Sequence, residues 1–177
     1  MLQAKNVNNI VLIGFMGVGK TAVGKACACK LGWSFIDSDL EIEKLTGCSI
    51  ADLFKNKGED YFRQLESKVI ERILRQSYQV VATGGGIVTL NKSRRILNES
   101  RLRGSKVIWL QASTDVIWQR VKNNTKRPLL NTPDPMAKIN HLLSKRNEFY
   151  QFAADYEIDT SELTIGEITE KIIKLVR

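Results

Sequence analysis

The chain has 177 residues, 43% apolar and 26% charged, with 12 Gly, 3 Pro and a net charge of +8. Those values describe one globular domain with a sizeable core and exclude a disordered or collagen-like chain. No run approaches the roughly 20 apolar residues that a membrane span needs. Nine residues, MLQAKNVNN, precede the first apolar run, too few for a signal or transit peptide, so a soluble, cytoplasmic protein is expected. The cysteines Cys27, Cys29 and Cys48 are odd in number and form no C-x-x-C pair. A disulfide framework or zinc site is therefore not expected, and buried free thiols are. The charge is uneven: residues 92–146 carry 13 Lys and Arg against 3 Asp and Glu, and the remainder of the chain is slightly acidic. A basic half suits an anionic partner, either nucleic acid or a phosphorylated small molecule, or simply a solvated face.

Five short apolar runs read as strands: Ile10–Ile13, Ser34–Asp37, Val80–Thr83, Lys106–Leu110 and Tyr156–Asp159. Helical patterns separate them. The first spans Lys20–Leu31. A second region runs from Leu40 to Arg75, broken near Gly47 and Gly58, with Ser49 as the N-cap of Ile50–Lys57. Asn91–Glu99 follows, then Thr114–Lys122 capped by Ser113, a long helix from Asp134-Pro135 to about Ala153, and a last helix capped by Thr164. Alternation of this kind implies a parallel sheet covered on both faces, with ligands beyond the carboxyl ends of its strands.

The first strand end carries the most specific motif. Gly14-Phe15-Met16-Gly17-Val18-Gly19-Lys20-Thr21 fits G-x-x-x-x-G-K-S/T between a strand and a helix, the context of a phosphate-binding P-loop. Its glycines let successive N–H groups turn inward, and the helix N-terminus adds partial positive charge. Lys20 can reach the β- and γ-phosphates, and the Thr21 hydroxyl can ligate Mg²⁺. The second strand ends in Asp37-Ser38-Asp39, whose carboxylates would share a face in extended chain. One carboxylate would serve the metal and the other an acceptor hydroxyl; the plainer reading is a turn residue and a helix cap at Asp39. The third strand runs into Gly84-Gly85-Gly86 without a strand-ending Asp, which leaves Asp37 as the carboxylate for the metal. By itself that glycine run is more often a tight turn.

Together these residues resemble the shikimate kinase family over almost the whole chain: GFMGVGKT, the FIDSD strand end, TGCSIADLF, GEDYFRQLE, TGGGIV, RPLL and KRNEFY. The resemblance implies a three-layer α/β/α fold of the P-loop, nucleoside-monophosphate-kinase-like type, with a central five-stranded parallel sheet. It implies ATP-dependent phosphorylation of the shikimate 3-hydroxyl, with Mg²⁺ held by Thr21 and Asp37. ATP would be bound by Gly17, Val18, Gly19, Lys20, Thr21, Ala22, Arg120 against the adenine, and Arg127. Asp39 would contact the acceptor hydroxyls and act as, or position, the base. Arg63 and Arg146 would grip the substrate carboxylate, Gly84, Gly85 and Gly86 would touch the ring hydroxyls, and Glu66 would steady Arg63. Lys20, Asp39 and Arg127 form the expected catalytic set, with Arg127 on a mobile lid at about 123–135 and the acceptor-binding helices at about 40–75. The expected partners are ATP and shikimate, with no nucleic acid and no membrane, and the expected state is a monomer.

Elementary chemistry agrees. A polyol bearing a carboxylate calls for guanidinium forks, and Arg63 and Glu66 stand three apart on one helix, close enough to meet. An exposed ion pair is the plainer reading of that spacing. The proline-punctuated stretch NNTKRPLLNTPDP is long enough for a lid, although a surface connection has the same composition. His141, the only histidine, is expected to be structural, and Trp33, Trp109 and Trp118 to belong to the core. One segment departs from the family pattern: Asp159–Thr164 has no Pro or Arg to lie on a base, which leaves adenine contacts from that loop unassigned. Three alternatives remain. A gluconate or nucleoside-monophosphate kinase shares the phosphate loop. A GTP-dependent switch would want N-K-x-D, but Asn91-Lys92-Ser93 is followed by Arg94. A nucleic-acid-binding protein would want a groove-reading motif or an aromatic platform, and neither is found.

Overall fold

The computed structural model describes residues 7–123 and 132–176. Its strands are β1 (Asn9–Ile13), β2 (Ser34–Asp37), β3 (Gln79–Ala82), β4 (Ser105–Gln111) and β5 (Tyr156–Asp159). They form one parallel sheet in the order β2-β3-β1-β4-β5. The helices are α1 (Lys20–Leu31), α2 (Ser38–Thr46), α3 (Ile50–Ile73), α4 (Asn91–Leu102), α5 (Thr114–Val121), α6 (Pro135–Ala153) and α7 (Ile165–Val176). Among the described residues no helix is long and apolar enough to cross a membrane.

Strand alternation divides the core in two. Ile10, Leu12, Val80, Ile108 and Leu110 face α1, α5 and α7 through Val23, Cys27, Ile117, Ile168 and Ile172. Val11, Ile13, Val81, Val107 and Trp109 face α3, α4 and α6 through Phe62, Ile70, Leu97 and Tyr150. Because successive side chains point to opposite faces, a strand that is apolar throughout is buried on both sides, as the runs predict. Trp33 and Trp118 pack half-buried against the first cluster, and Trp109 lies in the second. Parallel register sets the strand ends level: Leu12 pairs with Ala82, and Asp37 pairs with the same residue from the other side. The loops after β1, β2 and β3 therefore open onto one edge of the sheet.

Local chemistry explains most helix ends. Ser49, Ser113 and Asp134 each accept a backbone N–H two or three residues inside the helix that they open. Thr164 and Glu167 form a reciprocal capping box: the Thr164 hydroxyl accepts from Glu167 N at 3.3 Å, and Glu167 accepts from Thr164 N at 2.8 Å. α3 continues past Lys57 to Ile73, kinked at Gly58, where φ is 82° and ψ is 169°.

Three expectations are corrected. α2 starts at Ser38 rather than Leu40, and its cap is Asp37, not Asp39. Asp39 is thus in the first helical turn, so the two carboxylates do not share one face of an extended segment. Of the cysteines only Cys27 is buried, its thiol pushed up to about 11 by burial; Cys29 and Cys48 are exposed. His141 is exposed on α6.

Candidate active site

The phosphate loop leaves β1 through Gly14, whose φ of 135° and close approach suit only glycine: a side chain there would begin 2.1 Å from the Leu110 carbonyl oxygen. The loop then enters α1 at Gly19, so the first backbone N–H groups of the helix face the open edge. Lys20 is buried, and its ammonium donates to the carbonyls of Gly14 at 2.7 Å and Phe15 at 2.8 Å. Thr21 and Ala22 are exposed on the first turn of α1. Val18 buries its side chain in the core, so only its backbone faces the loop. The Thr21 hydroxyl donates to Asp37 Oδ2 at 3.0 Å, while Asp37 Oδ1 accepts the Asp39 N–H at 3.1 Å. One carboxylate thus caps α2 and meets the phosphate loop.

Across the edge, buried charges converge on Gly84–Gly86. Arg63, 6% exposed, donates from Nη1 to Glu66 Oε2 at 2.8 Å and to Glu59 through Nε and Nη2 at 3.2 and 3.1 Å. Its guanidinium lies 5.1 Å from the Phe62 ring and 5.7 Å from Phe54. A side chain at Gly86 would begin 2.2 to 2.4 Å from three atoms of that guanidinium. At Gly84 it would begin 2.4 Å from Glu66 Oε1 and 2.7 Å from Asp39 Oδ1. These glycines are needed because charged groups already occupy the space of a Cβ. Arg146 donates to the Gly85 carbonyl at 3.2 Å, and the Tyr150 hydroxyl donates to the same oxygen. Tyr150 is fully buried and stacks on Trp109 with centroids 5.7 Å apart.

The two halves touch. At Gly85 a side chain would begin 3.1 Å from the Met16 backbone nitrogen and 3.6 Å from the Gly14 carbonyl oxygen. The glycine run therefore lies directly against the phosphate loop.

Electrostatics follow from burial. Glu66, 1% exposed, is pushed up to about 7 by desolvation, against the Arg63 and Arg146 guanidinium groups and with the Asp39 carboxylate. Its Oε1 has no hydrogen-bond partner among the described residues. Burial works against the charge on Arg63, but the Glu66 and Glu59 carboxylates outweigh it and hold the guanidinium above its ordinary range. Burial also pushes Tyr150 up to about 12, so its hydroxyl keeps its proton.

On the third side, Arg120 donates from Nη2 to the Thr160 carbonyl at 2.8 Å, and from Nη1 to the Thr160 hydroxyl at 3.1 Å and the Gly17 carbonyl at 3.4 Å. The fold thus gathers the expected phosphate, metal, acceptor and adenine-side residues at one edge. Arg127 lies outside the described residues. Among the described residues no cluster of three His, Cys, Asp or Glu could hold a metal alone, so a cation there would need oxygens from Thr21 or from a ligand. Tyr150 and Thr160 were missed in the sequence. Tyr150 stands four residues after Arg146, a spacing that puts both on one helix face. Thr160 directly follows a strand end but belongs to no motif.

Comparisons with known proteins identify the family. The shikimate kinase family model matches residues 16–177. A shikimate kinase from Thermodesulfovibrio yellowstonii is 48% identical over 95% of this chain and 94% of its own length. A structure of shikimate kinase from Acinetobacter baumannii in complex with shikimate superimposes with a TM-score of 0.91 at 35% identity, covering 97% of this chain and 94% of that one. A gluconokinase from Sinorhizobium meliloti, at a TM-score of 0.59 and 20% identity over 97% of this chain and 93% of its own, shares the fold alone. The chain belongs to the shikimate kinase family.

Proposed function

We propose that the chain transfers the γ-phosphate of ATP to the 3-hydroxyl of shikimate, giving shikimate 3-phosphate and ADP for aromatic amino-acid (chorismate) synthesis. The observation that carries this reading is the placement of Gly84–Gly86, which lie against the phosphate loop on one side and against Asp39, Arg63 and Glu66 on the other. A donor phosphate and a carboxylate-bearing polyol would meet across that run.

In this reading the α1 N-terminus and the Gly17–Thr21 backbone cradle the phosphates, and Lys20 exchanges its two carbonyl partners for phosphate oxygens. The Thr21 hydroxyl and Asp37 carboxylate, hard oxygen donors 3.0 Å apart, suit Mg²⁺, which when bound would neutralise charge on the β- and γ-phosphates. Arg63 and Arg146 bind the acceptor carboxylate, and the glycine backbone meets the ring hydroxyls. Asp39 takes or orients the proton of the 3-hydroxyl as its oxygen attacks phosphorus and the β–γ bridge bond breaks toward ADP. Arg127, assigned from its motif alone, neutralises the transferring phosphoryl, where an Arg contributes on the order of 10³ to 10⁵ in rate. The lid expected at about 123–135 falls largely outside the described residues. Arg120 lies against the adenine. The same reading makes ATP and shikimate the partners of a cytoplasmic monomer that needs neither nucleic acid nor membrane.

A coupled assay of ADP release tests this, with shikimate, gluconate and a nucleoside monophosphate as separate acceptors. Turnover with shikimate is expected to exceed the others by orders of magnitude. Equal or faster turnover with gluconate would overturn the assignment.

A further inference from the structure

The segment after β5 has neither the Pro nor the Arg that would lie on a base, yet it is tightly tied into the site. Thr160 is fully buried. Its N–H donates to the Gln111 carbonyl at 2.8 Å. Its hydroxyl lies 3.0 Å from that same oxygen and 3.2 Å from the Val18 carbonyl in the phosphate loop. Having one proton, the hydroxyl donates to one of these carbonyls and accepts from Arg120 Nη1 at 3.1 Å. The Thr160 carbonyl accepts from Arg120 Nη2 at 2.8 Å, and the Gly17 carbonyl takes the remaining contact at 3.4 Å.

The consequence lies in the shape of a guanidinium. Its donors all lie in its plane and point outward from the edge, while its faces stay free to stack. Arg120 is exposed, although two of its nitrogens are tied along one edge by buried or loop atoms. A long side chain loses rotamer freedom when a ligand orders it, and an edge already anchored lowers that cost.

The geometry points to Thr160 as a positioning residue for the nucleotide: its hydroxyl and carbonyl hold the Arg120 guanidinium edge-on, so that one face is presented to the planar base of ATP. This rests on the reading of the site as an ATP-dependent shikimate kinase and adds to it the residue that orients the adenine side.

Thr160→Val removes the hydroxyl and keeps the branched shape, and Thr160→Ser keeps the hydroxyl. Calorimetric titration of each whole protein with ATP and with inorganic tripolyphosphate, which lacks the base, separates the possibilities. Thr160→Val is expected to weaken ATP binding roughly five- to tenfold, within the net worth of a single hydrogen bond. Tripolyphosphate affinity and the KM for shikimate should change less than about twofold, and Thr160→Ser should restore ATP binding. Unchanged ATP affinity in Thr160→Val overturns the proposal. Equal weakening of ATP and tripolyphosphate also overturns it, because the hydroxyl would then only brace the phosphate loop. If Thr160→Val does not fold, Thr160→Ala carries the same test, and failure of both to fold would make the residue a general stability element, against the proposal. Should the wild-type protein bind ATP but not phosphorylate shikimate, the functional reading fails while the test of Thr160 still stands.

Discussion

The two halves of the site are built on different principles. The phosphate side is local: residues 14–21 supply it, mainly through backbone groups, and its one buried cation, Lys20, is held by carbonyls five and six residues away. The acceptor side is assembled from α2, α3, the loop after β3 and α6, and it buries Arg63, Glu66 and Arg146. Neutral backbone donors can be pre-organised in a turn without charge compensation. Buried ions cannot, because each depends on a partner brought from elsewhere to offset its lost hydration. The phosphate side should therefore tolerate change on the acceptor side, whereas within the acceptor side single substitutions should spread.

The sharpest way to break this comparison is Asp39→Asn. Removing the carboxylate should lower kcat by on the order of 10² to 10⁴ while leaving the ATP dissociation constant within about twofold. Steady-state kinetics with nucleotide titration checks both, and a matching loss of ATP affinity would mean that the halves are not separable. Next in size is Glu66→Ala, which leaves Arg63 buried with only Glu59 beside it. A loss of about 3 kcal/mol is expected, lowering the thermal midpoint by roughly 6 to 12 °C.

Glu66 also sharpens the comparison through pH. Its folded-state pKa, near 7, lies above the ordinary carboxyl value of 4.5, so the folded protein keeps a proton that the unfolded chain has lost between those values. Its contribution to stability is therefore full below about pH 4.5, falls as pH rises toward 7, and is flat above. Urea midpoints across that window should decline in the wild type. The decline should be absent in Glu66→Gln, and an unchanged slope there would assign it to another group.

Smaller effects follow. Arg63→Lys keeps the charge but loses the fork, and the shikimate KM should rise about tenfold with ATP affinity unchanged. Tyr150→Phe deletes one hydroxyl donor to Gly85 and should cost about 1 kcal/mol in stability, read by denaturant titration.

Much of this arrangement was legible in the chain because it is local. The G-x-x-x-x-G-K-T run, the caps at Ser49, Ser113 and Thr164, and the apolar strands all depend on neighbours within a few residues. The errors arose where one residue had to choose between local roles. Asp37 rather than Asp39 caps α2, because β2 turns into the helix without an intervening loop residue. Gly58 kinks α3 without ending it, since the apolar face resumes beyond it at Phe62, Val69 and Ile70. Cys29 is exposed although Cys27, two residues earlier, is buried; on a helix those positions face apart, and only the packing of α1 decides which faces inward.

By itself the sequence determined that strands and helices alternate, that a G-x-x-x-x-G-K-T loop follows the first strand and opens a helix, and that an acidic pair ends the second strand. Those follow from hydrophobic period and turn chemistry, which act over a few residues. Tertiary structure alone decided that β1 lies between β3 and β4, that Gly84 and Gly86 have no room for a side chain beside Asp39, Glu66 and Arg63, and that Tyr150 and Thr160 reach the site. Such contacts join residues 18 to 142 positions apart, and the period of a segment carries no information about which distant group will fill the space in front of it.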